Sequence, residues 1–451
     1  MSTRPGVEAV AEARPVDGGE RLEVLDVLRG FALGGVFVSN VYVWMSGRVL
    51  MPGPAVQALT ASSWVDQAAN ELFQFFVNGR FMPIFSFLFG LGFYVQLTRA
   101  EKRGTSVVPV YTRRLMVMYL LGLVHLFGIW YGDVLNMYAM AGLLLLLLRE
   151  RKDRTLGVWA GVLMFGPMLV GQVLLRYGTL LLHGPEAHAA AREAANAAAK
   201  GMAETRAGIF AGLSSGGYLE WLRANTEAYF LLFFSPMMLT HIGTTVGRFT
   251  LGLWAGRKGL FHDVEKHRAT LKRLWGWGLG VGLVGRGVAV AVGVLMRRKV
   301  LDFQSPWTLV VTPVRELGAV GLATFYVTSL ALLFQREKWK RVLRVLAPAG
   351  RMAVTNYMSQ SVLGMVVYSG VGFGLMGKTG PAVTIALTMA LFCVQVAWSH
   401  WWLARYRFGP VEWVWRSLTY GTAQQMKKSA PPVAADPTQG QIPSPSGRGT
   451  G

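Results

Sequence analysis

The chain has 451 residues, of which 52% are hydrophobic and 15% charged, with 45 Lys plus Arg against 24 Asp plus Glu. Soluble domains carry roughly a quarter charged residues, and here the apolar residues arrive in blocks of about 20 rather than at an amphipathic period, which excludes an ordinary soluble domain. The formal charge of +21 sits in short loops between the blocks, so it reads as membrane topology rather than as a nucleic-acid surface.

The first residues, 1–20, are polar and contain Arg4, Pro5, Arg14 and Pro15. They read as a disordered lead-in to an uncleaved first helix. That helix is expected from about Val27 to Trp44, and a second from Phe81 to Leu97 after a segment holding Pro52, Pro54, Trp64 and Asp66. A third covers Leu115 to Ile129. The turn at Tyr131-Gly132-Asp133 then returns the chain as a fourth, ending at Leu148. The fifth spans about Leu156 to Leu182.

Residues 184–224 form the longest loop. Its alanine-rich part, Ala187 to Ala207, favours a helix but is too weakly apolar to enter lipid, so a surface helix is expected there. The sixth helix, about Tyr229 to Trp254, contains Pro236 and several glycines and is expected to kink. Four more follow near Trp275–Met296, Trp307–Phe334, Val354–Phe373 and Ala382–Leu403. Residues 422–451 are rich in Pro, Gly, Ser and Gln and read as a disordered tail.

The fold class is therefore all-α: a polytopic transmembrane bundle of about ten helices, five in 21–183 and five in 225–421. Loops assigned to the inner face hold about twice the Lys and Arg of the outer ones, which places both termini in the cytoplasm. The expected location is a bacterial inner membrane. The expected partners are membrane lipids, with anionic headgroups at the inner face and no nucleic acid. The single cysteine, Cys393, rules out a disulfide framework or a cysteine metal site.

Several polar groups can carry chemistry. His125 and Asp133 lie eight residues apart across a tight turn, where a carboxylate can orient an imidazole as a general base. Each also has a bland reading, the histidine satisfied by a carbonyl and the aspartate capping a helix. Arg29, three residues from Asp26 and so on its face, is a candidate with Arg113 and Arg114 for the phosphates of a cytoplasmic donor. The alternative is that Arg29 anchors the helix at the headgroups.

Asn40, with Ser39, and the pair Asn356 and Gln360, beside Ser359 and Ser361, suit either a substrate or the gluing of helices. Arg248, Arg286, Arg315 and Glu316 fall inside spans, where an unpaired charge is costly. Arg315 and Glu316 are about 100 degrees apart on a helix, so each is expected to find its partner on another helix. No metal site is expected, because His241, His262, His267 and His400 lack ligand spacing. Gly372-Phe373-Gly374-Leu375-Met376-Gly377-Lys378-Thr379 fits the phosphate-loop pattern in letters only, since a membrane helix precedes it and Gly380-Pro381 follows.

Five blocks in order resemble the YeiB-like family of bacterial membrane proteins. They are Arg21-Leu22-Glu23-Val24-Leu25-Asp26-Val27-Leu28-Arg29-Gly30 with Asn40; Phe85-Ser86-Phe87-Leu88-Phe89-Gly90; Gly122-Leu123-Val124-His125 with Trp130-Tyr131-Gly132-Asp133; Thr355-Asn356-Tyr357-Met358-Ser359-Gln360; and Gly409-Pro410-Val411-Glu412-Trp413. The resemblance covers about residues 21–421. The opening block is also similar to that of transmembrane acyltransferases such as heparan-alpha-glucosaminide N-acetyltransferase. That similarity implies acyl-coenzyme A as a possible donor, with no tightly bound cofactor. Those enzymes carry their catalytic histidine shortly after the first helix, whereas here no histidine precedes His125, so the similarity reaches the scaffold and not that residue. The expected function is acyl transfer to an envelope lipid or glycan, with a transporter or lipid flippase as the alternative and a non-catalytic membrane protein as a third.

Overall fold

The computed structural model describes residues 22–234, 237–302 and 305–428. Most of the two terminal segments, and Pro236 with its expected kink, lie outside the described residues. Among those described, the protein is helical with no strand, and seven helices are long and apolar enough to cross a membrane. It is a membrane protein.

In chain order the helices are α1 (Glu23–Asn40, continued by a π-turn over Val41–Met45), α2 (Gly53–Ala61), α3 (Trp64–Leu72), α4 (Phe81–Lys102), α5 (Val108–Gly128) and α6 (Leu135–Leu145). Then come α7 (Asp153–Ser215), α8 (Tyr218–Leu232), α9 (Met237–Arg257), α10 (Arg268–Arg297) and α11 (Val311–Leu333). The last are α12 (Glu337–Leu343), α13 (Ala347–Arg351), α14 (Ala353–Tyr368), α15 (Pro381–Arg405) and α16 (Pro410–Tyr420). Among the described residues helix occupies each of the ten expected stretches, and seven of these are long and apolar enough to cross a membrane. Two differences stand out: the sixth expected helix is two elements, α8 and α9, and α7 continues well past the expected fifth helix.

Gly184 explains the second difference. Its φ of 84° and ψ of 179° lie outside helical space, a conformation that glycine reaches at no steric cost. It joins an apolar segment ending at His183 to the alanine-rich helix expected from composition, which runs to Ser215. Residues 422–428, assigned to the tail from composition, lie against the end of α15: Arg407 N donates to Met426 O at 2.9 Å, and Trp413 Nε1 donates to Gln424 O at 2.6 Å.

Lipid offers no hydrophobic drive between helices, so association rests on close van der Waals packing and small residues. The glycines meet that demand. α10 packs along α11, where a Cβ on Gly285 would stand 2.6 Å from Gly318 Cα and one on Gly278 would stand 2.8 Å from Gly321 O. α4 and α9 meet through a reciprocal pair, Gly90 against the Phe249 carbonyl and Gly252 against the Phe87 carbonyl. Helices of the two expected halves interleave: α1 packs on α4, α13, α14 and α15, and α5 packs on α16.

Gly90→Val should therefore force α4 and α9 apart, because its new atoms would meet backbone, which cannot rotate away. The expected cost is about 2 kcal/mol or more, read as a lower unfolding midpoint in detergent. Gly157→Ala is the control, since nothing lies within 4 Å of a Cβ at Gly157.

Candidate functional site

The turn between α5 and α6 closes tightly because Gly122 lets the start of α6 approach: a Cβ there would stand 2.7 Å from Asn136 N and 2.9 Å from Asp133 Oδ2. The His125 carbonyl accepts from Ile129 N and Trp130 N, which ends α5. Asp133 Oδ2 accepts from Asn136 N at 2.9 Å and so caps α6. Its other oxygen lies 2.8 Å from His125 Nδ1, with both side chains fully buried.

An ionised carboxylate only accepts, so opposite it Nδ1 donates, and in the neutral ring Nε2 then keeps a lone pair. Nε2 is buried and has no hydrogen-bond partner. This arrangement goes beyond the bland reading, because the bond made by Asp133 orients the ring while the ring's second nitrogen stays uncommitted. Tyr357 packs its ring 5.2 Å from that of His125 and accepts Val134 N at 3.1 Å. Buried Asn225 ties the same turn down, accepting Tyr131 N at 2.7 Å and donating to Leu126 O at 2.8 Å.

Beside the turn lies a cavity of about 460 Å³. Asp133 stands in its wall and His125 does not, so the imidazole sits one side chain behind the surface. Asn40 is also in the wall, as are Arg80, Arg248, Arg286, Arg315 and Glu316. Glu316 is held by Arg248 through two bonds, Nε to Oε1 at 2.8 Å and Nη2 to Oε2 at 2.6 Å. The expectation of a partner on another helix thus holds for Glu316, from α11 to α9, and not for Arg315, which has no side-chain hydrogen bond or ion pair among the described residues. A smaller cavity of about 100 Å³, lined by apolar side chains such as Phe87, Trp254 and Phe261, has Arg248 in its wall as well.

Arg80 was not singled out from sequence. The available signal was an arginine immediately before the apolar block of α4, behind the turn at Asn78 and Gly79. Gly79 has a φ of 76°, and that turn faces Arg80 into the cavity.

The donor-side candidates gather at the opposite end of α5. Arg29 pairs with Asp26 at 2.9 Å. Arg114 lies over the Trp415 ring, 4.0 Å from its centroid, within electrostatic range of Arg29 and Arg416. Arg113 Nη1 donates to Thr419 O at 3.4 Å. None of the three is in the cavity wall. The eleven residues from Arg114 to His125 put about 16 Å of helix between the two groups.

Asn356 and Gln360 join α14 to its neighbours. Asn356 Nδ2 donates to Ser399 Oγ at 2.9 Å and to Ala349 O at 3.1 Å, while Gln360 Nε2 donates to Gln395 Oε1 at 3.1 Å. They too lie away from the cavity wall.

The stretch 372–379 cannot cradle a phosphate, since its amides are spent on the chain itself. Gly374 N donates to Ser369 O, Met376 N to Tyr368 O and Gly377 N to Ser46 O. No cluster of three His, Cys, Asp or Glu suited to a metal occurs among the described residues.

Comparison with known proteins places the chain. A family model described as "Protein of unknown function (DUF418)" matches residues 255–422. "Uncharacterized protein YxaH" of Bacillus subtilis is 34% identical over 427 residues, covering 93% of this chain and 99% of its own. "Uncharacterized protein YeiB" of Escherichia coli is 27% identical over 426 residues, covering 90% of this chain and 97% of its own. A 39.9 kDa protein of Bacillus acidopullulyticus is 29% identical over 411 residues, covering 90% and 96%. The family model covers only the C-terminal part of the chain, but with a relative 34% identical over nearly its whole length the chain belongs to the YeiB-like family.

Proposed function

We propose that the protein is a bacterial inner-membrane acyltransferase that spans the bilayer about ten times with both termini in the cytoplasm, and that it transfers an acyl group to an envelope lipid or glycan. The observation that carries this is the buried bond between His125 and Asp133, which orients an imidazole whose Nε2 has no hydrogen-bond partner, one side chain behind the wall of a polar cavity. In the step, Nε2 takes the proton of an acceptor hydroxyl and the freed oxygen attacks the thioester carbonyl of an acyl-coenzyme A. The carbon–sulfur bond then breaks, and the departing thiolate takes the proton back from the imidazolium. Arg29, Arg113 and Arg114 suit the donor's phosphates. The 16 Å or so of helix to His125 is a distance that an extended pantetheine arm can bridge.

The test is transfer of labelled acyl groups from acyl-coenzyme A to an envelope lipid extract by the purified full-length chain. His125→Ala is expected to lose about 10²- to 10⁴-fold in rate, while Arg223→Gln, on an exposed surface pair with Glu227, keeps the full rate. Equal rates in His125→Ala and the unaltered chain would sink the reading. A second reading, lipid translocation, is favoured by the Arg248–Glu316 pair in the cavity wall, since paired intramembrane charges mark transport pathways. It predicts movement of labelled lipid across proteoliposomes that His125→Ala leaves intact.

A further inference from the structure

The cavity wall carries four arginines against two carboxylates, a formal excess of two positive charges. Both carboxylates are engaged: Glu316 holds Arg248 with both oxygens, and Asp133 holds His125 and Asn136 N. That leaves Arg80, Arg286 and Arg315 with no side-chain hydrogen bond or ion pair among the described residues, and Arg80 Nε is buried and unpartnered. The charges of Arg286 and Arg315 act on Arg80, so the three share one neighbourhood although they come from the start of α4, from α10 and from α11. Like charges held together inside a membrane protein are unfavourable without a counter-ion. The helices that carry Arg286 and Arg315 are held close by the glycine contacts of α10 with α11.

We propose that Arg80, Arg286 and Arg315 form a binding site for a phosphate group, the headgroup of the substrate taken into the cavity. Three guanidinium groups from three elements can surround a tetrahedral oxyanion and supply paired N–H donors to its oxygens, which ammonium groups do less well. Asn40 and Thr312 in the same wall add neutral polar groups. The small apolar cavity across Arg248, with Phe87 and Trp254 in its wall, offers apolar surface to the part of the ligand next to the phosphate. The ligand is thus a phosphate-bearing amphiphile. The proposal adds an anionic group to the acyl acceptor discussed above. It rests on that reading only for what happens next, since its test measures binding and not turnover.

The experiment uses the full-length chain purified in a non-ionic detergent and delipidated. Thermal midpoints are recorded with added phosphatidylglycerol, with a neutral diacylglycerol of the same chains, and with inorganic phosphate alone. Phosphatidylglycerol is expected to raise the midpoint and diacylglycerol to leave it unchanged. Arg80→Gln, Arg286→Gln and Arg315→Gln should each weaken phosphatidylglycerol binding by about tenfold, the worth of one charge-assisted contact, and the triple variant should abolish the shift. A response to inorganic phosphate that is lost in the same variants supports the oxyanion site with a soluble ligand as its source; a response to the lipid alone assigns it to a headgroup.

Because each substitution removes repulsion, the variants should fold, and their unliganded midpoints should equal or exceed that of the unaltered chain. An equal shift in the triple variant, or an equal shift with diacylglycerol, overturns the site. His125→Ala keeps the shift if the site is right, whether or not acyl transfer is.

Discussion

Glu316→Gln should destabilise the fold by about 3 kcal/mol, the low end for breaking a buried pair, and more than Arg248→Gln. The two side chains are 9% and 15% exposed and share a bidentate bond between α11 and α9. Removing either strands the other, but the surroundings treat the survivors differently. An uncompensated Arg248 joins Arg80, Arg286 and Arg315 in a wall whose remaining carboxylate, Asp133, is already engaged. A stranded Glu316 instead keeps the favourable field of Arg80, Arg286 and Arg315 in the same wall. The order of the two variants thus reports the sign of the field in the cavity, independently of any ligand. Replacing both residues by Met should recover most of the loss, because two apolar side chains of similar volume remove the stranded charge altogether. Unfolding in mixed detergent micelles, monitored by tryptophan fluorescence, gives all three values. Equal losses in the two single variants would contradict the excess of positive charge.

The helices were legible from the sequence because lipid imposes a length and an apolar content that no other environment does. The joints were less so. Composition pointed to a helix on each side of Gly184 but could not show that the two join directly there, since the glycine serves equally well as a helix stop. It also could not show that residues 422–428 add their backbone to the end of α15, because one short stretch of antiparallel pairing leaves no periodicity to read.

For the site, spacing across the turn at Gly132 was enough to bring His125 to Asp133. It could not reveal that both side chains are fully buried, Asp133 at the cavity wall and His125 behind it with Trp130 and Tyr357 packed around the ring. Arg80 went unnoticed because its meaning lies in Arg286 and Arg315, over two hundred residues away in the chain and adjacent only after α10 and α11 have packed. A charge within a span can be flagged from sequence; the company it keeps cannot.

Glu412→Ala should rank beside the ion pair in cost, and its pH dependence separates it from a simple packing loss. Glu412, in the first turn of α16, reaches the start of α14. There Oε1 accepts Val354 N at 2.7 Å and Thr355 N at 3.1 Å, while Oε2 accepts the Thr355 hydroxyl. The first amides of a helix have no partner within it, so this carboxylate caps α14 from a helix over fifty residues away. Truncation leaves buried donors unmet, and the expected loss is about 3 kcal/mol.

Burial pushes the Glu412 carboxyl above its ordinary value of 4.5, and the hydrogen bonds from Thr355 and Val354 only partly oppose this. Between 4.5 and its raised folded value, the folded chain holds a proton that the unfolded chain has released. Stability therefore falls as pH rises through that window and levels off above it. Glu412→Gln keeps an acceptor for the two amides but has no proton to lose. It should abolish that slope and be less harmful than Glu412→Ala, most visibly above the window. The measurement is the unfolding midpoint of the three proteins from pH 4 to pH 8 in one detergent. A Gln variant with the same slope as the unaltered chain would remove Glu412 as its source.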